Sequence, residues 1–176
     1  YIRQDDRPAI RAMASWMRLP VAKVGTRWIG YAEYRQHLDA LRLFLRGSVA
    51  REQGLPLVPD ASMKEQTLNR LLRTNIVEAF AKERGIAVSK TDVDDAYSEL
   101  MSRAGTSTSA GEIDAFLRDQ FGWNVEDFKR NIIRPAMLED GLRKKKEVET
   151  KDAEAFEKEL QARLLQDDVK RYLRFE

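Results

Sequence analysis

Few residues in this chain could do covalent chemistry, and their spacing argues against it. There is one histidine, His37, and no cysteine. Thiolate catalysis, disulfides and Cys-ligated zinc are therefore excluded. His37 falls one position from the apolar stripe of a helical segment, with no second ligand or base at a useful spacing, so neither a metal site nor a catalytic residue is expected. Two carboxylate pairs, Asp94-Asp95 and Asp167-Asp168, are adjacent in sequence. Neighbours on a helix diverge by about 100°, so such a pair cannot converge as acid and base. Asp167-Asp168 reads instead as a turn. Lys144-Lys145-Lys146 reads as cations favoured near a helix C-terminus. "AGTSTSAG" at 104–111 lacks the lysine and the preceding strand of a phosphate-binding loop. No cofactor is expected.

Aromatic and methionine side chains are more informative. Trp16, Trp28, Tyr31, Phe44, Phe80, Tyr97, Met101, Phe116, Phe121, Trp123 and Phe128 exceed what one small helical core needs. Most at helical spacing belong to the core. The rest suit a groove that adapts to different peptides, because methionine and aromatic surfaces repack. The peptide-binding candidates are Trp28, Tyr31, Phe44, Tyr97, Met101, Phe116, Phe121, Trp123 and Phe128.

The elements that must position these residues are mainly helical. Pro8 sits near the first turn of an N-terminal helix carrying Ile10, Met13, Ala14 and Met17, which stops at Pro20. "VAKVGTRWIG" at 21–30 reads as two short strands around a turn. A helix from Tyr31 follows, with Tyr34, Leu38, Leu41 and Leu45 on one face. "GLPLVPD" is a loop stiffened by Pro56 and Pro59. Ser62 to Glu65 has capping-box spacing and opens a helix to about Arg84 that Gly85 stops. Ser89 caps a helix burying Val93, Ala96, Tyr97, Leu100 and Met101. A polar linker follows, then a short helix through Ile113, Phe116 and Leu117. Asn124 caps a longer helix, which Pro135 should kink. "RKKKEVETK" reads as a charged joint. A last helix over about 152–166 should bury Ala153, Phe156, Leu160 and Leu164. In the tail, Val169, Leu173 and Phe175 alternate with polar positions as in a strand. A lone hairpin is marginal in water, so this strand is expected to pair with the 21–24 edge and tie the chain ends together.

Composition is compatible with this picture. The 176 residues are 43% apolar and 34% charged, with 31 basic against 29 acidic residues and a net charge of +2. Such a balance disfavours nucleic acid as a partner. No apolar run reaches bilayer-spanning length. The sequence begins with Tyr1, as expected of a processed product, leaving room for a signal peptide or membrane anchor upstream.

The order of elements resembles the N-terminal chaperone domain of SurA-type periplasmic foldases, a fold related to the chaperone domains of PrsA and trigger factor. The resemblance rests on "VAKVGTRWIGYAEYRQHL", "LLRTNIVEAFAKERGIAVSKTDVDDA" and "FGWNVEDFKRNIIRPAML", with "FEKELQARLLQDDVKRYLRF" similar to the closing helix and strand. It implies a mainly α fold with a small sheet formed by the 21–29 hairpin and the C-terminal strand. Residues 1–19 would be an N-terminal, membrane-proximal helix, 20–176 the chaperone domain, and 147–176 its closing helix and strand. The implied function is ATP-independent, extracytoplasmic binding of unfolded or nascent secreted and envelope polypeptides in an apolar groove. Such foldases usually carry a parvulin prolyl-isomerase module between the kinked helix and the closing helix. Only "KEVETK" stands there, and one histidine cannot supply the paired histidines of that active site, so no isomerase activity is expected. Two alternatives stay open: the chaperone portion of a parvulin-type peptidylprolyl isomerase, and a non-catalytic assembly or dimerisation module in which a homodimer forms by exchange of a terminal element.

Overall fold

A computed structural model describes residues 19–103, 109–166 and 168–173. The expected N-terminal helix, with Trp16 and Met17, lies outside the described residues, as do Gly105, Asp167 and Phe175. The chain divides into two compact units. The first comprises Tyr1–Asn75 with Ala162–Glu176, the second Ile76–Gln161.

The first unit is organised by a three-stranded antiparallel sheet. Strands β1 (Pro20–Val24) and β2 (Arg27–Gly30) form the hairpin, and β3 (Val169–Arg171) pairs with the other edge of β1. The expected closure of the tail onto the 21–24 edge is therefore present, with Val24 opposite Val169 and Ala22 opposite Arg171. Two backbone bonds extend this pairing beyond β3: Gly25 N–H donates to the Asp168 carbonyl at 3.1 Å, and Tyr172 N–H to that of Val21 at 2.9 Å. Gly25 turns the hairpin at φ +55°, a region costly for any residue with a Cβ.

Helix α1 (Tyr31–Arg46) follows directly and packs on β1 and β2. Val21, Ala22, Val24 and Ile29 on the strands and Tyr34, Leu38 and Ala40 on α1 are all buried. A short helix, α2 (Ser48–Glu52), follows α1 before the "GLPLVPD" loop. Helix α3 (Asp60–Glu83) starts before the Ser62–Glu65 capping spacing, which therefore lies inside the helix. The earlier start is held by Asp60 in the first turn. Its carboxylate meets Lys64 at 2.8 Å and Arg42 of α1, and a negative charge there suits the helix N-terminus. Buried Thr67 donates to the Met63 carbonyl, and buried Asn75 to that of Leu71, each at 2.8 Å. The donor of each is thus served by its own helix.

The second unit contains the end of α3, helices α4 (Lys90–Arg103), α5 (Ala110–Phe121), α6 (Val125–Phe128), α7 (Arg134–Thr150) and most of α8 (Ala155–Leu164). Ser89 and Asn124 cap their helices as the sequence predicts, each reciprocally with the residue three positions on. Ser109 caps α5 in the same way with Glu112. Ile76, Phe80, Val93, Leu117, Trp123, Leu138, Leu142, Phe156 and Leu160 form the buried centre.

Three expectations are corrected here. The kink at Pro135 takes the form of a π-helical turn over Lys129–Ile133. Pro135 has no N–H for the Asn131 carbonyl, and Arg134 N–H reaches back five residues to Lys129 instead. The charged joint is helical: α7 continues to Thr150, supported by Arg143–Glu139 at 2.9 Å and Lys144–Asp140 at 2.7 Å. Ala153 is exposed, because α8 begins after it; Phe156 and Leu160 carry the burial.

Ile29 is fully buried, so Ile29→Ala should cost about 2–5 kcal/mol of unfolding free energy, measured by urea denaturation. Gly25→Ala should cost about 1–2 kcal/mol by the same assay, because alanine must adopt the positive φ.

Candidate functional site

The nine aromatic and methionine candidates fall into two groups. Trp28, Tyr31 and Phe44 lie in the first unit. Tyr97, Met101, Phe116, Phe121, Trp123 and Phe128 lie in the second. Trp28 is 53% exposed, whereas Tyr31 and Phe44 are half-buried. The Tyr31 ring is 6.3 Å from that of buried Tyr34, at a tilted angle.

In the second unit the candidates differ sharply in exposure. Phe116 on α5 is 50% exposed, while Tyr97, Met101, Phe121 and Phe128 are half-buried. Trp123 is only 3% exposed and stacks on Phe121 at 5.9 Å between centroids. It belongs to the support of this surface, and Phe121 is its outward layer. Leu100 on α4 was expected in the core stripe with Val93 and Tyr97. It is 45% exposed, because only Val93 of α4 is buried. Helical spacing gave the face; it could not give how little of that face is covered.

The supports of α4 and α5 are polar. Lys129, in the π-helical turn, donates to Asp94 of α4 at 2.7 Å and lies 4.8 Å above the Tyr97 ring. The hydrogen bond to Asp94 raises the Lys129 pKa, and the same bond lowers that of Asp94. One ammonium thus orients an aromatic candidate and ties α4 to the widened turn. Arg134, at the far end of that turn, pairs with Glu78 of α3 at 2.9 Å. Helix α5 is fixed to α6 by Asp114, whose carboxylate accepts from Val125 N–H at 3.2 Å and from Arg118. The Arg118 bond is the first cause of its lowered pKa. The Arg118–Asp114 pair has ordinary helical spacing, but the Lys129, Arg134 and Val125 partners were not legible, since each joins residues on different elements.

The remaining chemical candidates are accounted for. His37 is half-buried on α1. Asp94 serves Lys129, and Asp168 pairs with Arg163 at 2.6 Å. The three lysines diverge: Lys144 to Asp140, Lys145 to the Arg84 carbonyl beyond the end of α3 at 3.1 Å, and Lys146 to Glu159 at 3.2 Å. Only Lys145 meets a helix C-terminus, and that of a different helix. Among the described residues no group of three His, Cys, Asp or Glu is placed to hold a metal.

A cavity of about 780 Å³ opens in the first unit. Arg35, Asp39, Arg42, Leu43, Leu57 and Asp60 help to line it, and none of the nine candidates does. Arg35, Asp39, Arg42 and Asp60 pair with one another. Desolvation works to lower the Arg42 pKa, but the hydrogen bond and charge of Asp60, with those of Asp39, leave it raised. This is a braced salt-bridge cluster without a nucleophile or free base.

The arrangement of hairpin, α1, long α3, capped α4 and proline-interrupted helix is matched by the family model described as SurA-like N-terminal domain, over residues 9–143. The chain belongs to this family. No curated protein and no solved structure matches it. The SurA-like match covers the hairpin and all helices through most of α7. The match supports a chaperone-type fold, and the structure itself shows the mainly α class with its small sheet. No helix among the described residues is long and apolar enough to cross a membrane.

The Asp94–Lys129 pair gives a pH-dependent prediction. Asp94 has a folded pKa below its ordinary 3.8, so its contribution is present above that value and is lost as pH falls through the folded pKa. Asp94→Asn should therefore lower stability at neutral pH, and the gap from the parent should close at strongly acidic pH. Urea titrations at the two pH values measure it.

Proposed function

We propose that this chain is an ATP-independent chaperone module that binds unfolded or partly folded polypeptides outside the cytoplasm. The observation that carries the reading is the pair of half-exposed apolar side chains Leu100 and Phe116 in the second unit of a SurA-like domain. Tyr97, Met101, Phe121 and Phe128 of the same unit are half-buried. Such side chains present apolar area without a deep, shaped pocket. Contacts of this kind are weak and exchangeable, as suits clients that must be released without nucleotide hydrolysis. The rigid supports at Lys129 and Asp114 keep the surface from collapsing into the core in the client's absence.

The secreted and envelope clients, the extracytoplasmic site of action and the absence of isomerase activity from this chain are part of the same proposal. Their support is the family membership and, for the last, the single histidine at position 37.

The chain should suppress light scattering from a thermally aggregating test protein when present in molar excess. Leu100→Ser with Phe116→Ser should weaken that suppression several-fold while leaving the far-ultraviolet circular dichroism unchanged. No suppression by the parent chain would sink the proposal. The cis–trans exchange of an X-Pro peptide should proceed at its uncatalysed rate, and acceleration would favour the isomerase alternative. Sedimentation velocity over a range of concentrations distinguishes a monomeric binder from a dimerisation module.

A further inference from the structure

The three-stranded sheet has one buried face and one that carries an unusual set of side chains. Lys23 of β1 is flanked in register by Trp28 of β2 and Lys170 of β3. Tyr172, two residues beyond Lys170, follows on the same side. Its ring stacks on Trp28 across β1, at 5.9 Å between centroids and 21° between planes. The Lys23 ammonium lies 4.9 Å over the Trp28 ring. Trp28 is 53% exposed and Tyr172 40%. The strands also bear Arg27 and Arg171, both exposed, and contain no acidic residue. Lys170 and Arg171 have no ion-pair partner among the described residues. The nearby carboxylate of Asp168 is engaged by Arg163. A chain of almost balanced charge thus sets two lysines and an aromatic pair on one face of its smallest element, with Arg27 and Arg171 alternating to the other side.

We propose that this sheet is a docking surface for an anionic lipid bilayer. Tryptophan and tyrosine rings partition to the headgroup level, with an apolar body facing the acyl boundary and a polar tip facing water. Lysine and arginine extend past them to phosphate. The strand backbones bond to one another, so the face offers a ligand side chains only. An extended peptide gains no main-chain hydrogen bonds there, whereas a lipid surface needs none. Charge complementarity selects anionic over zwitterionic lipid. This inference does not depend on the polypeptide-binding reading, which rests on Leu100 and Phe116 in the other unit.

The test uses the full chain with Trp16→Phe and Trp123→Phe, leaving Trp28 as sole indole reporter. On titration with vesicles of phosphatidylglycerol mixed with phosphatidylcholine, Trp28 emission should shift to the blue and the protein should co-float. Phosphatidylcholine alone should do neither, and added salt should reverse binding. K23E with K170E should weaken binding by about tenfold or more. K23Q with K170Q, which removes both charges without adding repulsion, should weaken it less and serves if the reversal disturbs folding. No co-flotation with anionic vesicles would overturn the proposal. So would equal binding to neutral ones, affinity indifferent to both variants, or a Trp28 shift produced by polyglutamate and not by vesicles.

Discussion

The structure depends on β1 having two neighbours. A two-stranded hairpin cannot stabilise itself in water, and the third strand comes from the other end of the chain. Val24 opposite Val169 and Ala22 opposite Arg171 turn an unstable ribbon into a sheet with a closed inner face. Helix α1 then has something to pack on, and Ile29, Tyr34 and Leu38 become fully buried. Without β3, the outer edge of β1 would expose unpaired backbone, and Leu173 would lose its buried place.

The second unit depends on a different kind of constraint, a defect that is used. Pro135 withholds one amide, and the chain answers with a wider turn. That turn presents Lys129 to Asp94 and Tyr97, and Arg134 to Glu78. The apolar residues after the turn do not continue the phase of those before it: buried Ile133 is followed by Leu138 at five residues and Leu142 at four. A polar pair at a backbone irregularity therefore helps to set the attitude of α4, the helix that carries Leu100.

Much of this was legible in the sequence where local rules decide the outcome. The hairpin, the tail strand and its pairing, the caps at Ser89 and Asn124, and the helix stop at Gly85 all follow from residue type and spacing. The reading failed where a distant partner decides. Asp60 starts α3 early because Arg42 and Lys64 meet it there. "KEVETK" looked like a joint because its charges were counted without their helical partners. Leu100 has the spacing of a core residue and is exposed, while Trp123, a groove candidate by residue type, is buried. Periodicity tells which way a side chain points, and coverage depends on what other segments bring. For the same reason the cation-rich outer face of the sheet was invisible until β3 placed Lys170 and Tyr172 beside Lys23 and Trp28.

Helix α7 ends at Lys151 in a left-handed conformation, and α8 starts after an exposed turn. The strands brought together by the fold lie far to either side of that turn in sequence. Closure entropy grows only with the logarithm of the connecting length, so a further hundred or so residues spliced in at the turn would add roughly half a kcal/mol. By this logarithm the pairing of β1 with β3 is little affected by how much polypeptide is hung between them.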